Sequence, residues 1–321
     1  MSSPSTNVDL RPDITGSLEK FDVQANEAGY IASRVLPPKD VDTQSGTFGV
    51  IPIKELLKQA STERASNGHY NRIGFEFTDD SWATKEIGLE VRVDERNKNM
   101  YSRYFDDQLV AARLSRSTVL KRYEMLVAAA IFNTNTWTPT AVSTEWSNNA
   151  SGVPITDVTA AKKRVRAATG MLPNAIIMNW IVFENLRNNA QIIDRIESGG
   201  AGQMAKPADI TREMIARCFD LEEVIVAGGM TNTANDADVA VLADIWSSEY
   251  CALARVARTN NIEEACVGRT FHWTEDGSSI GTTFESYDEP QSRSMIVRNR
   301  MEVQAKILYT ECLDLLSNIT A

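Results

Sequence analysis

Five residues, Gly277 to Gly281, spell Gly-Ser-Ser-Ile-Gly, the lettering of a hydrolase nucleophile turn. That chemistry needs a strand before the serine, a helix after it, and a histidine later in the chain. Here TTFESYDEP follows, which reads as a strand and turn, and the last histidine, His272, comes before the serine. The motif is therefore predicted to be a hairpin turn. Ser198–Lys206, SGGAGQMAK, resembles a phosphate loop. A true P-loop needs Gly directly before the Lys and Ser or Thr after it. Ala205 and Pro207 stand there instead, so a mobile loop is expected. His69 and His272 are the only histidines, too few for a histidine metal site or a histidine base. The acidic pairs Asp79-Asp80 and Glu222-Glu223 read as solvated carboxylates.

Cys218, Cys251, Cys266 and Cys312 form no Cys-x-x-Cys pair, which argues against a zinc ribbon or a dithiol redox motif. Two basic helix faces, Lys162–Arg166 and Arg113–Arg122, are expected to be solvated or ion-paired. Their functional reading is contact with an acidic neighbour or with DNA phosphates. The Asn-Ala-Ser and Asn-Ile-Thr triplets match a glycosylation pattern, but nothing suggests secretion. No base, nucleophile and oxyanion donor converge. No catalytic residue, cofactor or metal site is assigned, and the chain is not expected to be an enzyme.

The elements that would carry such groups are more informative. The chain has 321 residues and a formal net charge of −10. That suits a protein kept soluble at high concentration and argues against one whose main task is gripping phosphates. The start lacks a signal-peptide pattern, and no apolar run approaches the ~20 residues that span a bilayer. The expectation is a cytosolic protein with reduced thiols.

Residues 1–46 are polar and turn-rich, yet Phe21, Tyr30, Ile31, Val35 and Leu36 call for burial. TFGVIPI and IGFEFT read as the strands of a long hairpin, with KELLKQASTERASNGHYNR and an Asn67-Gly68 turn signal between them. Two strands alone are marginal in water, so the hairpin must lie on something. Glu86–Arg96 alternates, with Leu89, Val91 and Val93 on one face. Next comes the strongest helix signal. Phe105, Leu109, Ala112, Val119, Tyr123, Leu126 and Ala130 step by three and four, and Arg116 interrupts the stripe. Asp106 and Asp107 sit at its start, where negative charge is favoured.

After the break at WSNNASGVP the texture turns α/β. Thr156 or Asp157 would cap a helix stopped by Gly170. NAIIMN is a strand, WIVFENLRNNAQIIDRI a helix, ITREMIARCF a helix and EEVIVAG a strand. From Ala265 long alternating strands return, able to pair with Glu86–Arg96. One β-rich domain would then lie on both sides of an α/β insert.

That order of parts resembles the major capsid proteins of tailed bacteriophages, which have the Hong Kong 97 fold. It is carried by EAGYIASRVLPPKDVDTQSGTFGVIP, then WSNNASGVPITDVTAAKKRVRAATGMLPNAIIMNWIVFENLRNNAQIIDRI, then ADITREMIARCFDLEEVIVAGG, DIWSSEYCALARVA and VGRTFHWTEDG, over about residues 27 to 307. The resemblance implies an α+β fold with an N-arm at 1–46 and an extended E-loop at 47–88. The first part of the peripheral (P) domain would be 89–146, with a spine helix about 106–132. An α/β axial (A) domain would take 147–260, and 261–321 would return to the peripheral domain.

It also implies self-assembly into hexamers and pentamers of an icosahedral head around double-stranded DNA, built in the host cytoplasm. Portal, a separate scaffolding protein and a decoration protein would be the other partners, with no membrane. Phe21, Tyr30, Ile31, Val35 and Leu36 of the arm would bury on neighbouring subunits, as would Phe48, Ile51, Phe75 and Phe77 of the E-loop. Strand addition across subunits would close open sheet edges. Arg113, Arg116, Lys121 and Arg122 would face the interior. The founding member cross-links a Lys to an Asn between subunits. Neither Lys54 nor Lys58 of the E-loop matches that motif, so no cross-link is expected. The competing readings are an encapsulin-like compartment around a cargo enzyme, an ordinary α/β enzyme, and a tail or adhesion protein.

Overall fold

The structure, a computed structural model, describes residues 9–10, 29–64, 66–74, 76–96, 107–198, 209–234, 239, 241–274, 280 and 283–320. Two sheets organise it. The first is built on one long strand. Its members are β1 (Asp9–Leu10), β2 (Pro38–Val41), β5 (Lys85–Asp94), β12 (Gly268–Trp273), β13 (Thr283–Glu289) and β14 (Ser294–Ile307). β14 pairs antiparallel with β5 along one edge, from Ser294↔Asp94 to Val303↔Lys85. Its other edge carries β13 and then β12, in line. Of the returning C-terminal strands expected to pair with Glu86–Arg96, β14 does so, and β12 and β13 join the same sheet through β14. β12 and β13 do not pair with each other, so the hairpin turn expected at Gly277–Gly281 is corrected. The strands flanking that motif share one edge of β14, and residues 277–279 and 281 lie outside the described residues.

Between β2 and β5 stand β3 (Ser45–Val50) and β4 (Thr78–Ala83), a separate antiparallel pair. IGFEFT was expected as the second strand, but pairing begins only at its last residue, Thr78. Trp82 is the anchor that sets this register. Its ring stacks on Phe271 with centroids 5.4 Å apart, and Phe48 packs at 5.9 Å from Trp82 and 5.8 Å from Phe271. Strand positions follow this aromatic cluster rather than the alternation further out. The excursion between the two strands carries the single turn α2 (Ile53–Leu56), following α1 (Ala32–Val35) in the arm.

The long helix expected at about 106–132 is α3 (Asp107–Ile131). Its buried side is formed by Ala112, Ser115, Arg116, Val119, Tyr123, Glu124, Val127, Ala128 and Ile131. The stripe read from the sequence is right at Ala112, Val119 and Tyr123. Leu109, Leu126 and Ala130 are half-buried, and Phe105 lies outside the described residues. The face drifts because the helix first covers β5 and β14 and then meets the second sheet.

That second sheet has the order β6 (Thr140–Ala141), β15 (Leu313–Ser317), β11 (Cys251–Ala254), β7 (Ala175–Asn179) and β8 (Glu223–Ala227). The chain's last strand, expected in the returning peripheral part, instead pairs antiparallel with β11 here. Every residue of β7 and β11 is buried, as suits central strands. Four helices cover the sheet. α4 (Pro154–Thr169) starts with Pro at its first turn and stops at Gly170, whose φ of +73° suits glycine. Neither Thr156 nor Asp157 caps it. Both lie inside its first turns, and Asp157 accepts from Trp146 Nε1 at 2.9 Å instead.

The run WIVFENLRNNAQIIDRI, expected as one helix, is two, α5 (Trp180–Asn188) and α6 (Ala190–Ser198). Asn189 breaks them apart. Its amide oxygen accepts from Gln191 N and its amide nitrogen donates to Gly152 O. α7 (Arg212–Phe219) is capped by Thr211, which accepts from Met214 N at 3.3 Å. A two-stranded hairpin, β9 (Met230–Asn232) with β10 (Leu242–Asp244), projects beyond β8.

Candidate functional site

The residues that could do chemistry are held in structural roles. Asp80 accepts from Lys306 Nζ at 2.7 Å. Burial opposes its ionisation, but the Lys306 ammonium and the Ser81 N–H hold it below its ordinary value. Glu223 is likewise penalised by burial yet held low by Arg34 and Arg258. His272 is buried, with Nδ1 3.1 Å from Asp40 Oδ1, across the β2–β12 pair. Lys162 and Arg164, from the first basic face, are paired with Asp220 and Asp314. The cysteines are free, and burial pushes the Cys312 thiol up to about 12. Among the described residues no cluster of His, Cys, Asp and Glu could hold a metal, and no helix is long and apolar enough to cross a membrane. The Ser198–Lys206 loop, apart from Ser198, lies outside the described residues.

The informative geometry is the path of the arm. At Gly29, φ is +93°, and a Cβ would stand 2.7 Å from the Gly228 backbone. The two glycines let the chains cross, and Gly228 N donates to Gly29 O at 3.0 Å. Two residues on, the amides of Ile31 and Ala32 donate to the Glu124 carboxylate at 2.9 and 2.8 Å. Trp246 Nε1 donates to the same carboxylate at 2.7 Å. Glu124 is 1% exposed. Burial raises its pKa, and the three donors oppose that rise without cancelling it. One carboxylate thus ties the arm and the second sheet's side of the molecule to α3. Further on, the Thr270 hydroxyl donates to Leu36 O at 3.0 Å and sits 2.8 Å from the Tyr123 hydroxyl. The arm then joins the first sheet as β2, parallel to β12.

The arm residues therefore need correcting. Ile31, Val35 and Leu36 are at most 2% exposed within their own chain, so their burial needs no neighbour. Tyr30 is half-buried against Gly229, and Phe21 lies outside the described residues. Likewise the strand addition at Pro38–Val41 is made within the chain. The hairpin excursion expected as an E-loop divides in two. Phe48 is part of the Trp82–Phe271 cluster, and Ile51 is half-buried. Phe77 is 62% exposed, in company with exposed Tyr70, Ile73 and Leu57. Phe75 lies outside the described residues.

A second exposed apolar group lies at one end of the second sheet. β7 and β8 run parallel and end together at Asn179↔Ala227. Trp180, Ile181 and Met230 follow directly, and Val241 and Leu242 lie on the adjoining hairpin, all exposed. Of the basic residues on α3, Arg113 and Arg122 are exposed and Lys121 is half-buried. Arg116 is 1% exposed, which rules it out as an inner-face cation. Sequence reasoning missed Glu124, Trp246 and Thr270. The signal available for Glu124 was an acidic residue beside Tyr123 on the apolar stripe.

No known protein-family model matches the chain. A curated relative, the major capsid protein of Burkholderia phage BcepMu, is 24% identical over 262 residues, covering 76% of this chain and 78% of that protein. Among solved structures, a phage-related protein from Bordetella bronchiseptica superposes with a TM-score of 0.68 at 17% identity, over 97% of this chain and 98% of that one. The capsid of cyanophage P-SCSP1u gives 0.59 at 9% identity, over 88% and 86%. An encapsulin from Synechococcus elongatus gives 0.54 at 12% identity, over 99% and 92%. The chain has the α+β Hong Kong 97-like capsid fold.

Proposed function

We propose that the chain is the major capsid protein of a tailed bacteriophage, a structural protein whose copies close into hexamers and pentamers of an icosahedral head. The observation that carries the reading is the likeness to the Burkholderia phage capsid protein over three quarters of both chains. The geometry supports it. Apolar side chains are left exposed at the hairpin excursion and at the end of the second sheet, where the chain's own core does not cover them. Closed rings of such contacts give hexamers and pentamers, and many modest contacts together make a stable shell.

In this reading Tyr70, Ile73 and Phe77 bury on an adjacent subunit, and Trp180, Met230 and Leu242 meet their counterparts around the capsomer axis. The head encloses double-stranded DNA without sequence preference, and the net charge of −10 keeps the wall from clamping it. Portal, a separate scaffolding protein and a decoration protein complete the particle, which assembles in the bacterial cytoplasm. The test is negative-stain microscopy with size-exclusion chromatography of the chain expressed alone and with its neighbouring genes. Closed shells or rings of five and six are expected, and a monomer under every condition overturns the reading. The encapsulin likeness favours one alternative, a compartment around a cargo enzyme. Particles holding protein cargo and no DNA would establish it.

A further inference from the structure

The exposed face of α3 combines apolar and basic side chains. Val110, Leu114 and Met125 are 47%, 55% and 37% exposed, and Thr118, Arg122 and Ala129 are exposed between and beyond them. These six positions step by four, four, four, three and four, which on a helix is one continuous stripe. From Val110 to Ala129 it runs about 28 Å at 1.5 Å per residue. Arg113, Lys121 and Arg122 accompany it. The helix has two acidic residues, Asp107 in its first turn and the buried Glu124.

Elsewhere cations find carboxylates, as in Lys162–Asp220, Arg164–Asp314 and Arg298–Glu285. Arg113, Lys121 and Arg122 make no salt bridge among the described residues. An unneutralised basic strip in a chain of net charge −10 calls for an acidic partner. A phosphate backbone would be met by cations alone, whereas apolar side chains at helical spacing form a ridge that fits the groove of a second helix. Among the described helices of a second copy, none of similar length is acidic. Its longest other described helix, Pro154–Thr169, carries Lys162, Lys163, Arg164 and Arg166.

We infer that the outer face of the Asp107–Ile131 helix is a docking site for an acidic amphipathic α-helix of another protein. The site belongs to the single subunit, so it stands or falls separately from shell formation. The test is fluorescence anisotropy on the purified subunit with three labelled probes. The first is a peptide of about 20 residues with Leu at i, i+3, i+4 and i+7 and Glu elsewhere. The second is its scrambled counterpart, and the third a duplex of about 30 base pairs.

The ordered peptide is expected to bind at least about tenfold more tightly than the scrambled one. Leu114→Asp and Arg122→Glu should each weaken it by about tenfold, with urea midpoints unchanged because both side chains are exposed. Equal binding of the two peptides overturns the inference, as does indifference to Leu114→Asp. Duplex binding lost with Arg122→Glu but unaffected by Leu114→Ser would make the strip a phosphate contact and overturn it too.

Discussion

Replacing Glu124 tests the account of the arm. Its carboxylate accepts three hydrogen bonds, from Ile31 N, Ala32 N and Trp246 Nε1, at 2.7 to 2.9 Å. Glu124→Ala strands three buried donors. Hydrogen bonds to a charged acceptor are each worth about 1.5–3 kcal/mol, and removing a buried charge returns part of its desolvation cost, leaving a net loss of about 3–4 kcal/mol. Glu124→Gln keeps one oxygen and turns an NH2 toward a donor, for a smaller loss of about 1–2 kcal/mol.

The pH dependence has a definite sign. Burial raises the folded-state pKa above the unfolded one, so the folded state holds the extra proton between the two values. The group's contribution is fully present below the ordinary glutamate range and is lost as pH rises through the raised value. The stability difference between wild type and Glu124→Gln should therefore shift in the wild type's favour on acidification. Urea unfolding of the subunit, followed by tryptophan fluorescence between about pH 4 and 8, reads both quantities; this range runs upward from near the ordinary glutamate value of about 4.3 through the raised one. A loss below about 1 kcal/mol for Glu124→Ala, against the worth of its three bonds, refutes the tie. A shift in the opposite direction refutes the assigned cause of the raised pKa.

Three further outcomes are expected. Trp82→Ala, which removes the ring stacked on Phe271, should cost about 2–4 kcal/mol locally and raise amide exchange across residues 45–83 while β14 stays protected. Gly29→Ala puts a methyl against Gly228 at a φ that L-residues avoid; a cost of about 1–3 kcal/mol and faster proteolysis next to residue 29 are expected, and unchanged proteolysis counts against the crossing. Phe77→Ser should leave subunit stability within about 0.5 kcal/mol, since the ring is exposed, yet lower the yield of closed particles. Normal particle yield would remove Phe77 from the interface.

The long helix and the alternating Glu86–Arg96 strand were legible because their patterns are local and strong. The sequence predicts a helix about 106–132, and the structure has Asp107–Ile131. What was not legible depends on distance. Glu124 meets partners 92, 93 and 122 positions away, and within its own helix it reads only as a polar residue beside Tyr123. Arg116 reads as a surface cation because local periodicity cannot see that the helix buries two different sides in succession. The arm's apolar residues look homeless for the same reason, since the elements that bury Ile31 and Leu36 come far later in the chain, from α3 onwards. The hairpin register was missed because alternation in IGFEFT outscored a single tryptophan whose partner, Phe271, is 189 positions on (82 to 271).

The parallel pairing of Pro38–Val41 with β12 has a mechanical consequence. The arm before it passes Gly228 and Glu124 and then runs into a ladder lying along its own direction. Tension applied from the amino-terminal side pulls that ladder lengthwise. Its hydrogen bonds are then strained together in shear instead of opening one after another, with the Thr270–Leu36 bond as an added stop. The arm can thus transmit force from one sheet to the other without unravelling.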